Sequence, residues 1–447
     1  METLQAGDGL AIMVSAIFTT LMLGYYLLIL RRRGMQNSVL AFALWGLYFS
    51  LGLAGILGEA SGSISPVFPI NIAAPLALFV VVAACTSAFL RFDGRRLQSL
   101  QVRFPWQRSV ENGLMAIQVY SIAFFLPFVR DSLTGDPHLN RLYIDDKMAA
   151  MGEYGLLNTL ASAGAHLFVP SMVFALLRIS PTKEQGRNVG RAAVLFLCSL
   201  SYVFYVLAYV GRDGVVYWSM MAALLIALFW PYFLGRDRVR VIRLVGLLLL
   251  VILIPFANIS ISRFLDVDQG GMSPFFEYFG AQIANFSDYS SMDRPVTHGA
   301  ISFPLFYEKV CLLVATNCEP WVEIRPSVFE EYLMQGKAPW LFGTFLSDFA
   351  ADFGFGGSVA ILLFFAVLCA VLCARFRRGE RLTISRFLMI VFLFQIPYWG
   401  VFYFRFATIN AYLVNNLAFI LVLASLQSFS YNIRCSGVTK PVVSSVK

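Results

Sequence analysis

Apolar residues gather in long runs separated by short polar stretches. Such runs begin at Leu10–Leu30, Val39–Leu57, Ile70–Leu90 and Gly113–Val129, and continue at Leu156–Leu177, Ala192–Val210, Val215–Leu234 and Leu244–Ile259. The last three are Val359–Ala374, Phe387–Phe404 and Ala407–Leu426. A helix needs about 20 mostly apolar residues to cross the hydrocarbon core of a bilayer. The pattern therefore predicts an all-α, polytopic transmembrane helix bundle of about eleven spans. No basic residue precedes the first run, and it is longer than the apolar stretch of a typical signal peptide, so it reads as a retained span. The organisation expected is a bundle of eight spans over residues 1–259, a large external loop over 260–357, three further spans over 358–427 and a tail over 428–447.

Composition agrees. Of 447 residues, 58% are hydrophobic and 13% charged, about half the charged share of a soluble domain. Seven cysteines are too thinly spread for a disulfide-stapled scaffold. The formal charge of +8 invites a nucleic-acid reading until the charges are sorted by connection. One alternate set of connections holds Arg31–Arg33, Arg91, Arg95, Arg178, Arg187, Arg191, Arg236–Arg243, Arg375–Arg386 and the basic residues of the tail. Most acidic residues fall on the other set. By the positive-inside rule the basic face is cytoplasmic, with the amino terminus outside and the carboxyl terminus inside. The basic surplus reports orientation and leaves no demand for nucleic acid. No Gly-rich phosphate loop of the Walker type occurs, which removes ATP-driven pumping.

The external connections carry the candidate chemistry. The large loop is rich in aromatic residues, which suit interfacial anchoring or stacking on sugar rings, and it is expected to form short helices on the outer leaflet. Cys311 and Cys318, seven residues apart, would lie about 10.5 Å apart along a straight helix, too far to bridge; a bend at Thr316–Asn317 would permit a disulfide in an oxidising compartment, and the question stays open. Cys85, Cys198, Cys369 and Cys373 read as small apolar core residues. His138, His166 and His298 have no neighbours at metal-ligand spacing, so no metal or other cofactor is called for.

Basic residues on the external face run against the positive-inside bias. Arg212, in Gly211-Arg212-Asp213-Gly214, lies at headgroup depth, where a guanidinium forks two phosphate oxygens; Asp213 is its nearest counter-charge, and snorkelling is the bland alternative. Arg263 and Arg405 occupy similar membrane-edge positions, as helix-end anchors or, with Arg212, as a pyrophosphate clamp. Arg294 and His298 lie in Ser291-Met292-Asp293-Arg294-Pro295-Val296-Thr297-His298-Gly299, and an external histidine suits general-base work on a hydroxyl. Asp348 and Asp352 are i, i+4 and share a helix face, placed either to hold an external arginine or to cap the following span.

Together with Pro339-Trp340-Leu341-Phe342-Gly343-Thr344-Phe345, Asp352-Phe353-Gly354-Phe355-Gly356-Gly357, and Tyr278-Phe279-Gly280-Ala281-Gln282-Ile283-Ala284-Asn285-Phe286 upstream of His298-Gly299, this pattern resembles the Wzy-type O-antigen and capsule repeat-unit polymerases. The resemblance implies a multi-pass enzyme of the bacterial inner membrane with its site facing the periplasm. Such an enzyme transfers a growing glycan from one polyprenyl pyrophosphate to a second lipid-linked repeat unit, with a chain-length regulator and a flippase as partners. It implies catalytic roles for Arg212, Arg263 and His298, and substrate binding by Asp213, Arg294, Arg405, Tyr278, Asp348 and Asp352. The rivals are an O-antigen ligase that hands the polymer to lipid A core and a transporter of lipid-linked oligosaccharides. A glycosyltransferase with an acidic motif in its first external loop fits less well, since that loop offers only Glu59.

Overall fold

The computed structural model describes residues 5–33, 38–64, 71–100, 104, 106–134, 151–180, 188–209, 211, 213–248, 279–292, 295–314, 320–336, 343–377, 382–408 and 410–436. Its elements in chain order are α1 (Gln5–Tyr25), continued by a π-helical turn over Tyr26–Leu30, then α2 (Val39–Ala60), α3 (Ala73–Phe89) and α4 (Gln107–Thr134). There follow α5 (Leu156–His166), α6 (Phe168–Ile179), α7 (Val189–Cys198), α8 (Ser201–Ala208) and α9 (Asp213–Phe229). After a helical stretch at 235–248 come α10 (Gln282–Ser291), α11 (Pro304–Val314), α12 (Trp321–Met334), α13 (Thr344–Arg377), α14 (Ile384–Trp399), the single turn α15 (Arg405–Thr408) and α16 (Asn410–Ser436).

The protein is an all-α, multi-pass membrane protein, but the expected eleven spans are not found. Among the described residues six helices are long and apolar enough to cross a membrane: Val39–Ala60, Gln107–Leu133, Val189–Ala208, Asp213–Tyr232, Thr344–Arg375 and Asn410–Phe429. A seventh is reached if α5 and α6, bent by 43° at their junction, count as one span. Two expected spans form shorter apolar helices, Ala73–Phe89 and Ile384–Trp399, while the first forms α1 and its π-helical continuation. Sixteen or seventeen residues reach only about 25 Å at 1.5 Å per residue, short of a hydrocarbon core of about 30 Å. The run Leu244–Ile259 lies largely outside the described residues. Hydropathy registers apolar content; it does not register where a helix stops.

The chain divides into two compact units. The first comprises Met1–Arg95, Ser260–Glu380 and Ile390–Asn410; the second comprises Arg96–Ile259, Arg381–Met389 and Ala411–Lys447. In the first, α1 meets α2 through small residues, the economy by which membrane helices approach closely: a Cβ at Gly55 would stand 2.5 Å from Ser15 Oγ. α3 packs along α13, and α10 lies against α1, α2, α3 and α13. Gly280, just before α10, touches the α2 backbone so tightly that a Cβ there would lie 2.5 Å from the Ala54 carbonyl oxygen. α10 is polar in sequence yet buried from Gln282 to Tyr289.

In the second unit α6 is the core helix. Every residue of it except Arg178 is buried, as expected of a helix apolar all round. Pro170 has no N–H to offer the His166 carbonyl four residues before it, and Asn416 Nδ2 donates to that carbonyl at 3.0 Å while also donating to the Tyr412 carbonyl at 2.9 Å. Asn188 caps α7 by accepting the Arg191 amide at 2.9 Å. Glu111 is fully buried between two guanidiniums: Arg178 Nε and Nη2 donate to its two oxygens at 2.9 and 2.8 Å, and Arg191 Nε donates to Oε2 at 2.5 Å.

Candidate functional site

The site is built on the first ten residues of α13, in the first unit. Gly354 interrupts this helix with φ 71° and ψ 169°, a conformation open to glycine and costly for any residue with a Cβ. Residues 344–353 thus form a separate helical arm ahead of the apolar segment. The arm's entry is closed by backbone pairing: the Thr344 amide donates to the Phe402 carbonyl at 2.9 Å and the Phe345 amide to the Gly400 carbonyl at 2.7 Å. Two of the four amides that a helix start leaves without partners are thereby satisfied by the connection between α14 and α15.

Asp348 and Asp352 project from this arm one turn apart, and each holds a different piece of chain. Asp352 is fully buried. It accepts the Thr297 hydroxyl at 2.5 Å, the Ile301 amide at 3.0 Å and the Ser302 amide at 2.6 Å. The Thr297 and His298 amides in turn donate to the Ala351 and Asp352 carbonyls at 3.2 and 2.9 Å. The turn so gripped carries His298 at φ 52° and Gly299 at φ 98°. A histidine in the left-handed region is uncommon and strained by 1 kcal/mol or so; here five hydrogen bonds between the turn and the arm over-determine it. The His298 side chain remains exposed.

Asp348 accepts the Phe404 amide at 2.6 Å, fixing the backbone directly before Arg405. The buried guanidinium of Arg405 donates from Nη1 to the Tyr403 hydroxyl and lies 5.8 Å from the centre of the Tyr403 ring. The two held segments meet in an aromatic knot. Phe303, which follows the His298 turn, lies 5.7 Å from Phe349 and 5.4 Å from Phe404, and Phe349 lies 4.9 Å from Phe404. One arm therefore fixes an exposed imidazole and a buried guanidinium through two carboxylates that also anchor it.

Of the residues singled out by sequence, His298, Arg405, Asp348 and Asp352 are gathered here. Asp348 holds the arginine's segment through a backbone amide, and Asp352 holds the histidine's turn through two backbone amides and the Thr297 hydroxyl. Asp213 belongs to the second unit, in the first turn of α9, where an acidic side chain favours the helix start. Arg212, Arg263, Arg294 and Tyr278 lie outside the described residues, so a three-arginine clamp has only Arg405 among them. Some aromatic residues of the large loop pack inward: Phe286 stacks on Phe355 at 6.2 Å, and Tyr289 meets Tyr332 at 5.0 Å, while Phe306 is exposed. Cys311 is disulfide-bonded, while Cys85, Cys198, Cys369 and Cys373 are buried free thiols.

Sequence reasoning passed over three features. Thr297 supports the turn from beside His298 and was hidden among ordinary loop residues. His166 is buried at the helix break, with Asn415 Nδ2 3.0 Å from its Nδ1 and the Tyr205 and Tyr412 rings set edge-on at 5.1 and 5.6 Å. Glu59, buried at the end of α2, was discounted as a lone loop acid; its signal was that it is the only charged residue between Arg33 and Arg91.

No protein-family model, curated protein or solved structure matches the chain. The resemblance to Wzy-type O-antigen and capsule polymerases rested on an architecture of about eleven spans and on short motifs. Six or seven candidate spans among the described residues do not fit that architecture, and the chain is not assigned to that family.

Proposed function

We propose that the protein is a membrane-embedded transferase that moves a glycan from a polyprenyl-pyrophosphate carrier to a hydroxyl of a second lipid-linked saccharide. The observation that carries this reading is the joint anchoring of His298 and Arg405 on one arm by Asp352 and Asp348. In the reaction the acceptor hydroxyl gives its proton to the His298 imidazole while its oxygen bonds to the anomeric carbon. The bond from that carbon to the pyrophosphate oxygen breaks, and the electron pair leaves with the pyrophosphate. Arg405 neutralises the charge that develops there. A fixed donor set of this kind contributes most when it is in place before the reaction begins, which is what the two carboxylate anchors provide.

The reading places the site on the periplasmic face of a bacterial inner membrane, with the carboxyl terminus in the cytoplasm. The charge asymmetry of the connections supports this orientation, as does the disulfide of Cys311, a bond that persists in oxidising compartments. The test uses the full-length protein in liposomes with a short-chain polyprenyl-pyrophosphate-linked oligosaccharide. Elongated saccharide that disappears in Arg405→Ala and His298→Ala is the expected result; absence of any new glycosidic bond with wild-type protein overturns the proposal.

A second reading, movement of a lipid-linked saccharide across the membrane, draws support from the helix breaks at Leu167 and Gly354, since discontinuous helices recur in transporters. The same liposomes separate the two readings: a transporter relocates the labelled lipid without lengthening its saccharide.

A further inference from the structure

Glu59 ends α2 in a setting that its sequence neighbours do not explain. It is 4% exposed. Its Oε1 accepts the Ser15 hydroxyl at 2.6 Å, and its Oε2 is buried with no hydrogen-bond partner among the described residues. The helices with the most extensive packing on α2 are α1, α3 and α10, and neither they nor α2 contains a lysine, arginine or histidine. α14 reaches α2 through the Tyr48 hydroxyl, which donates to the Pro397 carbonyl, and its basic residue Arg386 lies about three turns away near its start. α1 brings the Ser15 and Thr19 hydroxyls, α3 brings no acidic or basic side chain, and α10 brings the buried Gln282, Asn285 and Asp288. The contact of Gly280 with Ala54 and Gly55 and the packing of Ile64 on Ala281 and Ala284 set the start of α10 beside this end of α2.

A buried carboxylate is tolerated when a cation or several donors compensate it. Among the described residues Glu59 has one donor, no basic neighbour on α1, α3 or α10, and a further acidic side chain on α10. We propose that Glu59 is a proton-binding site: a neutral carboxylic acid whose Oε1 takes the Ser15 hydroxyl and whose Oε2–H is kept for an oxygen atom of a bound saccharide. The acid has its single O–H donor uncommitted, and the adjoining helix is polar yet buried, a combination that suits the hydroxyl and ring oxygens of sugars better than a lipid chain. The ligand class rests on the proposed transfer reaction; the protonation state stands independently of it.

The test is infrared difference spectroscopy of the full-length protein in nanodiscs at neutral pH, wild type against Glu59→Gln. A neutral-carboxyl carbonyl band that is present in wild type, shifts in D2O and is lost in the variant is expected. An ionised carboxylate band lost instead overturns the proposal. Because Glu59→Gln keeps the shape and one acceptor, its melting temperature is measured alongside; if the variant does not fold, Ser15→Ala serves, since removing the donor to Oε1 shifts the same band. Addition of a short-chain polyprenyl-pyrophosphate-linked monosaccharide is expected to move the band to lower frequency. A band unmoved at saturating probe overturns the saccharide contact while leaving the transfer reaction, which is read by product length, to stand or fall separately.

Discussion

Asp348 and Asp352 lie one helical turn apart on the same arm, and the first accepts the amide of Phe404 while the second accepts the amides of Ile301 and Ser302. Two like charges on one helix face ordinarily repel. Here each is turned to a separate set of donors, and the pair converts one short helix into the junction of two connections far apart in sequence.

Replacing Asp352 by alanine strands the Ile301 and Ser302 amides and the Thr297 hydroxyl in a buried place. Hydrogen bonds to charged groups contribute about 1.5–3 kcal/mol each and are not additive. The expected loss is on the order of 3–5 kcal/mol, read as a lowered melting temperature in detergent, with Asp352→Asn falling between alanine and wild type. Equal melting for all three proteins would show that the turn holds without the carboxylate.

His298 offers a separation of stability from chemistry. Its φ of 52° is tolerated by glycine without cost, so His298→Gly should match or exceed wild-type stability by up to about 1 kcal/mol. The same change removes the imidazole and should lower the proposed transfer by about 100-fold or more. Opposite movement of melting temperature and turnover is the signature of a strained functional residue; unchanged turnover would remove the histidine from the mechanism.

At Gly354 the nearest atom to an added Cβ is Val296 Cγ1 at 3.6 Å, an ordinary contact. Gly354→Ala therefore tests backbone conformation alone, and a cost of about 1–3 kcal/mol is expected from φ 71° with ψ 169°, a region essentially confined to glycine. Straightening of the arm onto the helix that follows would show instead as cysteine pairs, introduced across the break, changing their cross-linking span.

Gly280→Ala is of a different kind, because the added carbon meets the Ala54 backbone, which cannot rotate away. Loss of folded protein on size-exclusion chromatography is expected. Gly46→Ala, with nothing within 4 Å of its Cβ, should be neutral or slightly stabilising, as alanine is the better helix former.

Glu111→Gln leaves Arg178 and Arg191 facing each other without their shared carboxylate. Breaking a buried ion pair from one side costs about 3–5 kcal/mol, so a large drop in melting temperature is expected, with a smaller drop for Arg191→Ala, since Arg191 is the more exposed partner at 23% against 11% for Arg178.

The composition and the long apolar runs are enough to make this an all-helical membrane protein, because only a helix satisfies its own backbone within lipid. The spacing of Asp348 and Asp352 likewise places them on one face, since helical periodicity is local. Their partners were not legible: the amides of Ile301, Ser302 and Phe404 look like any other amides in sequence, and only folding selects them. The span count failed for a related reason. Apolar content averages over a break such as that at Leu167 and over helices that end early, whereas length and bending are settled by what packs alongside. Burial of the polar α10, and of Glu59 beside it, followed from close glycine contacts between distant segments. Local chemistry sets which residues enter the membrane; contacts between segments set which polar groups are held there together.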